Sequence, residues 1–266
     1  MKLCVPRYLP REDQKRSIAK AFEIWPNNRP DDYDESKVLG KGDKLALDIF
    51  RYWGDRGVEL TVGFLETPDP ELRRRILAHM NAWRDTANVS FVASDVDPLV
   101  RIARFTEAEV GPDHDGYWSN LGTDILLIDR DKPTMNLEAF TMTTSEDEFR
   151  RVVRHEAGHT LGFPHEHMRS ELVARLDRAR VIQAYMASQG WTEQDVIDQI
   201  LTPLEAARIL GTPLADETSI MCYQIAAELM LDGVAIPGGL DINETDRVFA
   251  AQVYPRTEVW PVRPGR

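Results

Sequence analysis

Residues 154–169 read RHEAGHTLGFPHEHMR and hold four of the six histidines in the 266-residue chain. Ser145 is a candidate N-cap, which predicts a helix over residues 146–161. His155 and His159 are four residues apart on that helix, so both imidazoles project from one face, about one turn apart. This spacing lets two ring nitrogens lie about 2.0–2.1 Å from a common Zn²⁺ ion.

The residues around this pair complete a candidate metal site. Glu156 lies about 100° round the helix, where its carboxylate can reach a water on the metal without ligating the ion. Gly162 follows His159 by three residues, where a helix ending in a left-handed residue places glycine. The chain then turns back, and His165 reaches the metal from a second direction on a segment that Pro164 stiffens. Three neutral nitrogens and an open position are typical of a catalytic zinc site.

The alternative interpretation is an ordinary polar helix face, which a lone HExxH also fits. Here five positions match, and a chance match at all five has odds on the order of 10⁻⁵. We therefore predict one zinc ion bound by His155, His159 and His165.

Together these residues resemble the metzincin metallopeptidases, whose motif HExxHxxGxxH is followed later by a methionine turn. Residues 219–223 read SIMCY and match the second element. The resemblance implies that Met221 lies beneath the zinc as an apolar floor, although a methionine in a loop is more often a core residue.

Within the metzincins the chain is similar to the astacins. Their motif continues with residues that Phe163, Glu166 and Arg169 match, and their turn reads SxMHY. By this resemblance Tyr223 is an additional zinc ligand that swings away to stabilise the oxyanion. The segment GYWSNLG at 116–122 is also similar to a cysteine-containing astacin segment, and the likeness covers roughly residues 55 to 255.

The chain departs from the astacin pattern at several positions. Cys222 replaces the histidine of the turn, and the disulfide cysteines of the family are absent. Glu166 holds a new N-terminus in astacins, but here we favour a structural ion pair between Glu166 and Arg169. For His167 we predict a surface position rather than a contact with substrate.

The periodicity of the whole chain predicts an α+β fold. We expect a metzincin-like catalytic domain with a twisted mixed sheet and two long helices in its N-terminal part, followed by a mainly helical and loop C-terminal part. Residues 1–44 are predicted to form an N-terminal extension with a helix and a polar linker. The peptidase domain is predicted at 45–266, with an upper part at 45–162 and a lower part at 163–266. Predicted strands are 58–65, 89–93, 99–105 and 124–129, with an edge segment at 116–122, and predicted helices are 11–25, 71–86 and 146–161.

Composition limits the partners. The formal net charge of −12 argues against a nucleic-acid backbone or an anionic membrane surface. No apolar run is long enough for a transmembrane helix, and residues 1–17 lack the apolar stretch of a secretory signal. We therefore expect a cytoplasmic protein or one exported by a non-classical route. Cys4 and Cys222 are expected to be reduced thiols.

Two further metal-related patterns are weaker. Acidic clusters at 95–97, 113–115 and 129–131 lack EF-hand spacing, so calcium is unsupported and solvated loops are favoured. Cys4 in LCVPR is similar to the cysteine that blocks matrixins, and Asp43 in GKGD is similar to the blocking aspartate of astacin propeptides. A purely structural N-terminal extension is favoured over latency through either residue.

The resulting hypothesis is a zinc-dependent endopeptidase. A metal-activated water attacks the peptide carbonyl, Glu156 acts as general base and then general acid, and Tyr223 stabilises the oxyanion. The protein or peptide substrate would lie extended along an edge strand. The alternatives are a zinc-binding, non-proteolytic peptide-binding relative and a non-proteolytic metal hydrolase. Glu156 favours the enzyme, since zinc storage needs no general base.

Overall fold

The computed structural model describes residues 4–5, 7–29, 33, 48–111, 116–204 and 210–256, and the structural statements below concern these residues. The described helices are α1 (Arg11–Ile24), α2 (Pro70–Met80), α3 (Glu107–Val110), α4 (Glu146–Glu148), α5 (Arg154–Thr160), α6 (Ser170–Val173), α7 (Arg178–Gln189), α8 (Glu193–Val196) and α9 (Glu244–Val253). None of the described helices is both long and apolar enough to cross a membrane.

A five-stranded mixed sheet forms the upper part of the molecule. Its strands are β1 (Val58–Phe64), β2 (Val89–Ala93), β3 (Val100–Ala103), β4 (Tyr117–Ser119) and β5 (Met135–Leu137). Their order across the sheet is β2-β1-β3-β5-β4, and every pairing is parallel except the antiparallel pair β4 and β5. Strand β4 is therefore the last of the five strands on one side, where its main-chain groups can pair with a further extended segment.

Two helical segments cover the sheet, as the sequence predicted. Helix α2 begins at Pro70, and the Asp69 side chain accepts a hydrogen bond from the Glu71 amide at 2.7 Å. The second segment runs without a break from α4 through a π-helical turn (Phe149–Val153) into α5, and we call it the catalytic helix. Apolar residues from both helices and the sheet share one buried cluster, including Leu72, Ile76, Met80, Phe149, Val153 and Ala157. Burial of this apolar surface holds the catalytic helix against the sheet.

The predicted strand at 124–129 is wrong. Residues Gly122–Leu127 form a 3₁₀ helix instead, and β5, which the sequence did not reveal, takes the place in the sheet. The reason is tertiary: the Asp124 carboxylate is fully buried and accepts hydrogen bonds from Ser17 and from Arg51, the latter at 2.8 Å. A buried carboxylate needs such partners, and they draw this segment out of the sheet.

The N-terminal helix docks on the catalytic body through the same buried network. Ser17 lies on α1, and Arg51 also pairs with the buried carboxylate of Asp48. The Asn28 side-chain amide, just after α1, donates to the carbonyl oxygens of Ala21 and Tyr52 at 3.2 and 2.9 Å. Most of the predicted linker up to residue 44 lies outside the described residues.

The part after Gly162 is mainly helical and irregular, as predicted. A second buried cluster lies here, with Leu172, Val181, Tyr185, Ile200, Cys222 and Tyr223 among its members. Helix α9 packs back into the first cluster, where Tyr254 donates to the Leu161 carbonyl oxygen at 2.6 Å. Upper and lower parts therefore share one core, and the boundaries at 44 and 162 stay predictions.

Candidate active site

The catalytic helix ends at a glycine turn that reverses the chain. Gly162 has φ +93°, and its amide donates to the His159 carbonyl oxygen at 2.8 Å. The Phe163 amide then donates to the Gly158 carbonyl oxygen at 3.0 Å, as in a helix C-terminus closed by a left-handed residue. This geometry brings the segment that follows the turn back toward the helix.

Three histidine side chains converge at the turn. Nε2 of His165 lies 3.1 Å from Nε2 of His155 and 3.2 Å from Nε2 of His159. On the far sides of the rings, Nδ1 of His155 lies 2.6 Å from the Ile220 carbonyl oxygen, and Nδ1 of His159 lies 2.6 Å from the Phe163 carbonyl oxygen. A carbonyl oxygen accepts only from a protonated nitrogen, so both rings present an Nε2 lone pair to the centre.

Burial keeps the imidazoles of His155 and His159 neutral. Desolvation lowers the pKa of His155 to about 4 and the pKa of His159 well below its usual value. Neutral rings with converging lone pairs are the ligands that Zn²⁺ takes in catalytic sites, and the carbonyl partners fix their orientation. The three histidines therefore fit a zinc ion.

The fourth group at this centre is the Cys4 thiol. One ligand atom each from Cys4, His155, His159 and His165 lie within 4.8 Å of one another, and no other metal-ligating group of three or more occurs in the described part of the chain. The segment carrying Cys4 adds to the sheet edge parallel to β4: the amides of Val5 and Arg7 each donate at 3.0 Å to carbonyl oxygens of β4. We call the space between β4 and the three histidines the cleft. The N-terminal segment, residues 4–5 and 7–9, occupies it. Asp43 lies outside the described residues.

Glu156 lies beside this thiol and is fully buried. Burial raises the pKa of Glu156 to about 8, against the opposing effects of the neighbouring Cys4 thiol and Arg151 guanidinium. A carboxylate in such surroundings readily accepts a proton near neutral pH.

The methionine turn lies under the catalytic helix. A side-chain Cβ on Gly158 would be 2.6 Å from the Met221 sulfur and 3.1 Å from a ring carbon of Trp83, so any larger residue would force the thioether to shift. Met221 is buried, and its carbonyl oxygen accepts from the Glu166 amide at 2.9 Å. The thioether therefore packs against the helix that carries His155 and His159.

Asp246, in the first turn of α9, anchors the methionine turn, and the sequence analysis did not identify it. Its carboxylate accepts from the Ser219 hydroxyl at 2.6 Å and from the Ile220 amide at 3.0 Å. Because the Ile220 carbonyl oxygen orients His155, the carboxylate of Asp246 stabilises the site from behind the turn.

Tyr223 lies in the cleft with its ring between two histidines. The ring centroid is 4.3 Å from that of His165 and 4.1 Å from that of His167. Its hydroxyl donates to the main-chain carbonyl oxygen of Cys4. Tyr223 is thus directed at the segment that fills the cleft.

The predicted surface position of His167 is wrong. The side chain is fully buried and stacks on Tyr223, and its Nε2 lies 3.2 Å from the Gln199 carbonyl oxygen. The short 3₁₀ turn Glu166–Met168 folds the chain inward after His165, into the second apolar cluster. Sequence periodicity cannot show this, since the packing partners are about 32 and 56 residues away.

The predicted pair of Glu166 and Arg169 is present. Nη1 of Arg169 lies 3.5 Å from Oε1 of Glu166, which also accepts from the Asp216 amide at 3.1 Å. Burial raises the pKa of Glu166 to about 7. Both expected thiols, Cys4 and Cys222, are buried and unbridged.

A cavity of about 270 Å³ opens beside Glu156. Its one charged wall residue away from the metal centre, Arg151, forms a double hydrogen bond with Glu148 at 2.6 and 3.1 Å, so little net charge faces the cavity. The remaining wall is mainly apolar or neutral and includes Tyr117, Val152, Ala184, Tyr185, Ile220, Cys222, Leu229 and Leu240.

The chain is similar to solved structures of zinc proteases. One structure of myroilysin is 29% identical, with a TM-score of 0.72 and coverage of 79% of this chain and 98% of that chain. A second myroilysin structure is also 29% identical, with a TM-score of 0.56 and coverage of 77% and 86%. High choriolytic enzyme 1, a hatching enzyme zinc-protease from Oryzias latipes (medaka fish), shares the fold at 17% identity, with a TM-score of 0.51 and coverage of 77% and 94%.

No protein-family model matches the sequence, and no curated protein matches it. The similarity at the level of structure nevertheless agrees with the motif, the methionine turn and the converging histidines. We conclude that this chain is a zinc metallopeptidase whose fold and motifs are similar to those of the astacin-like metzincins.

Proposed function

We propose that the chain is an endopeptidase in which His155, His159 and His165 hold one Zn²⁺ ion and Glu156 transfers protons. The observation that carries this proposal is the convergence of three Nε2 atoms, with separations of 3.1 and 3.2 Å, above a buried carboxylate. A Zn²⁺ ion bound there supplies Lewis acidity, which makes water nucleophilic near neutral pH and polarises the scissile carbonyl.

The proposed proton path uses Glu156 alone. Its carboxylate takes a proton from the attacking water and then gives that proton to the nitrogen of the leaving amine. The buried position suits this path. Burial raises the pKa of Glu156, so the carboxyl group is readily protonated by the attacking water before it donates that proton to the amine.

Tyr223 is proposed as the second catalytic residue. Its hydroxyl donates to the Cys4 carbonyl oxygen, a peptide carbonyl that lies in the cleft next to the metal centre. We propose the same donation to the carbonyl oxygen of a substrate as negative charge develops on it.

The substrate is proposed to bind extended along β4. The N-terminal segment supports this, because its main chain already pairs with the carbonyl oxygens of Tyr117 and Ser119. An added strand gains main-chain hydrogen bonds whatever its sequence, and side chains directed at the cleft provide selectivity.

We also propose that the N-terminal segment keeps the enzyme latent. It fills the strand position of the substrate, and its thiol shares the metal centre with the three histidines. A thiolate is a strong zinc ligand and would occupy the open position that catalysis needs. This interpretation, which the sequence disfavoured, has the support of geometry for Cys4.

The competing hypothesis is a zinc-binding protein without peptidase activity. Burying a carboxylate beside the histidines costs free energy, and a binding site that performs no proton transfer has no use for it. The position of Glu156 therefore favours the enzyme.

One experiment tests the proposed function. Full-length Cys4→Ala protein and the double variant with Glu156→Gln are loaded with zinc, assayed on casein and mixed peptides, and analysed for metal content. The enzyme predicts about one zinc in both and cleavage only when Glu156 is intact. Zinc in both with cleavage by neither supports the binding protein, and protein without zinc refutes the metal site.

A further inference from the structure

His167 forms the flat support on which Tyr223 rests. The two rings are nearly parallel, at 15°, with centroids 4.1 Å apart, whereas His165 meets the same tyrosine at 52°. All three side chains are buried. A face-to-face contact in a close-packed interior restricts the plane of the tyrosine ring more than an inclined contact does.

The support is itself held from the other side. Nε2 of His167 lies 3.2 Å from the carbonyl oxygen of Gln199, in the π-helical segment Ile197–Leu201. The neighbouring Met168 carbonyl oxygen accepts from the Leu204 amide at 2.9 Å. His167 is absent from the group whose ligand atoms converge at the metal centre, and its ring contacts Tyr223 more closely than it contacts His165, whose ring centroid lies 5.0 Å away.

The position of the tyrosine ring sets where the hydroxyl oxygen lies, and the O–H bond prefers the ring plane, so a stacked partner restricts both the place and the direction of the hydroxyl. In the stacked orientation the hydroxyl donates to a carbonyl oxygen in the cleft, that of Cys4. We propose that His167 is a positioning residue, which holds Tyr223 so that its hydroxyl meets the carbonyl oxygen of the bound peptide. This inference rests on the catalytic role proposed for Tyr223.

The alternative is that His167 only fills space in the core. Two substitutions separate these roles. His167→Phe keeps a flat ring beneath the tyrosine, and His167→Leu keeps an apolar side chain but no flat face. A positioning role predicts that the leucine variant loses kcat about 10- to 100-fold with little change in KM, because small misplacements of reacting groups cost rates of that order. The phenylalanine variant should retain most of kcat.

The experiment is a double-mutant cycle in full-length, zinc-loaded Cys4→Ala protein. His167→Leu, Tyr223→Phe and their combination are compared on one peptide. If the histidine acts through the tyrosine hydroxyl, the leucine substitution costs nothing further once that hydroxyl is gone. Affinity for a phosphinic peptide, a tetrahedral mimic of the transition state, should fall with kcat/KM, while affinity for a product peptide should not.

His79→Leu is the matched control. His79 lies on α2 and is also buried, its ring lies 5.2 Å from that of Phe149, and it does not line the cavity beside Glu156. The His79→Leu substitution should leave kcat unchanged. Additive losses in the cycle, or equal kcat in the leucine and phenylalanine variants of His167, would overturn the inference. If Tyr223→Phe alone has no effect, the proposed role of the tyrosine fails instead.

Discussion

Replacing Cys4 with alanine in the full-length chain should release most of the latent activity. The substitution removes one sulfur from the metal centre and leaves the rest of the N-terminal segment able to pair with β4. The size of the effect depends on how firmly those remaining contacts hold the segment in the cleft.

The remaining contacts nearly balance the cost of ordering the segment. They include five hydrogen bonds, at about 1 kcal/mol net each, two cation–π contacts at about 1 kcal/mol each, and the burial of a leucine at about 2 kcal/mol. Ordering the backbone of six residues, at about 1.5 kcal/mol each, costs about 9 kcal/mol. The contacts are Val5 to Tyr117, Arg7 to Ser119, Tyr223 to Cys4, Asn120 to Arg7, Gln14 to Leu9, Arg7 over Trp118 at 4.1 Å, Arg51 over Tyr8 at 5.5 Å, and buried Leu9.

With the two sums about equal, the thiol decides the outcome. Zinc ligation by four protein groups contributes roughly 10–16 kcal/mol, so one ligand contributes about 3 kcal/mol, a factor of about 100 in population. Cys4→Ala should therefore raise peptidase activity about 100-fold above the wild type. The activity of Cys4→Ala should also lie within about tenfold of the activity of a chain that lacks residues 1–9 but keeps α1.

The rate of cleavage of a fluorescence-quenched peptide is measured for the wild type, Cys4→Ala and the truncated chain at matched zinc content. Cys222→Ala is the control, since that buried thiol lies outside the metal-ligating group and its loss should not activate the enzyme. An inactive Cys4→Ala protein beside an active truncated one would refute the role of the thiol and leave main-chain pairing as the block. Equal activity in the wild type and Cys4→Ala would refute latency itself.

Three further substitutions probe the architecture around the site. Gly158→Ala should destabilise the protein by about 1–3 kcal/mol in urea unfolding, because the new methyl group would press on Met221. Asp246→Ala should lower zinc affinity about 10- to 100-fold in a chelator competition, since it leaves the turn behind His155 without its acceptor. Ala184→Phe should shift a peptide-library digest from large apolar residues next to the cleaved bond toward small ones, because it fills the cavity.

Each of these three predictions has an outcome that contradicts it. Full stability of the Gly158 variant would mean that the thioether moves aside without cost. Asp246→Asn, which keeps an acceptor oxygen, should lose less zinc affinity than the alanine variant, and equal losses would point to charge rather than to the hydrogen bond. An unchanged cleavage pattern for Ala184→Phe, at unchanged zinc content, would remove the cavity from substrate selection.

Local sequence was sufficient for the centre of the site and for most of the sheet. The sequence spacing from His155 to His165 determines how the three rings converge, because a helical turn and a chain reversal at glycine both depend on neighbouring residues only. Strand β5 has three residues and shows no alternation, so its pairing with β3 and β4 depends on distant partners. The segment Gly122–Leu127 was misassigned for the same reason, since the buried partners of Asp124 are far away in sequence.

The latency and the catalysis that we propose draw on one set of contacts. The N-terminal segment pairs with the strand edge, presents a carbonyl oxygen to Tyr223 and directs a ligand atom at the three histidines, and a peptide substrate must do the first two of these. The segment differs in the third, since a thiol at the metal centre excludes the water that cleavage needs. Because the ordering cost cancels most of the shared contacts, release needs no large rearrangement of the fold. We therefore expect that loss of the Cys4 thiol, or a single cut before α1, is sufficient to open a cleft that is already formed.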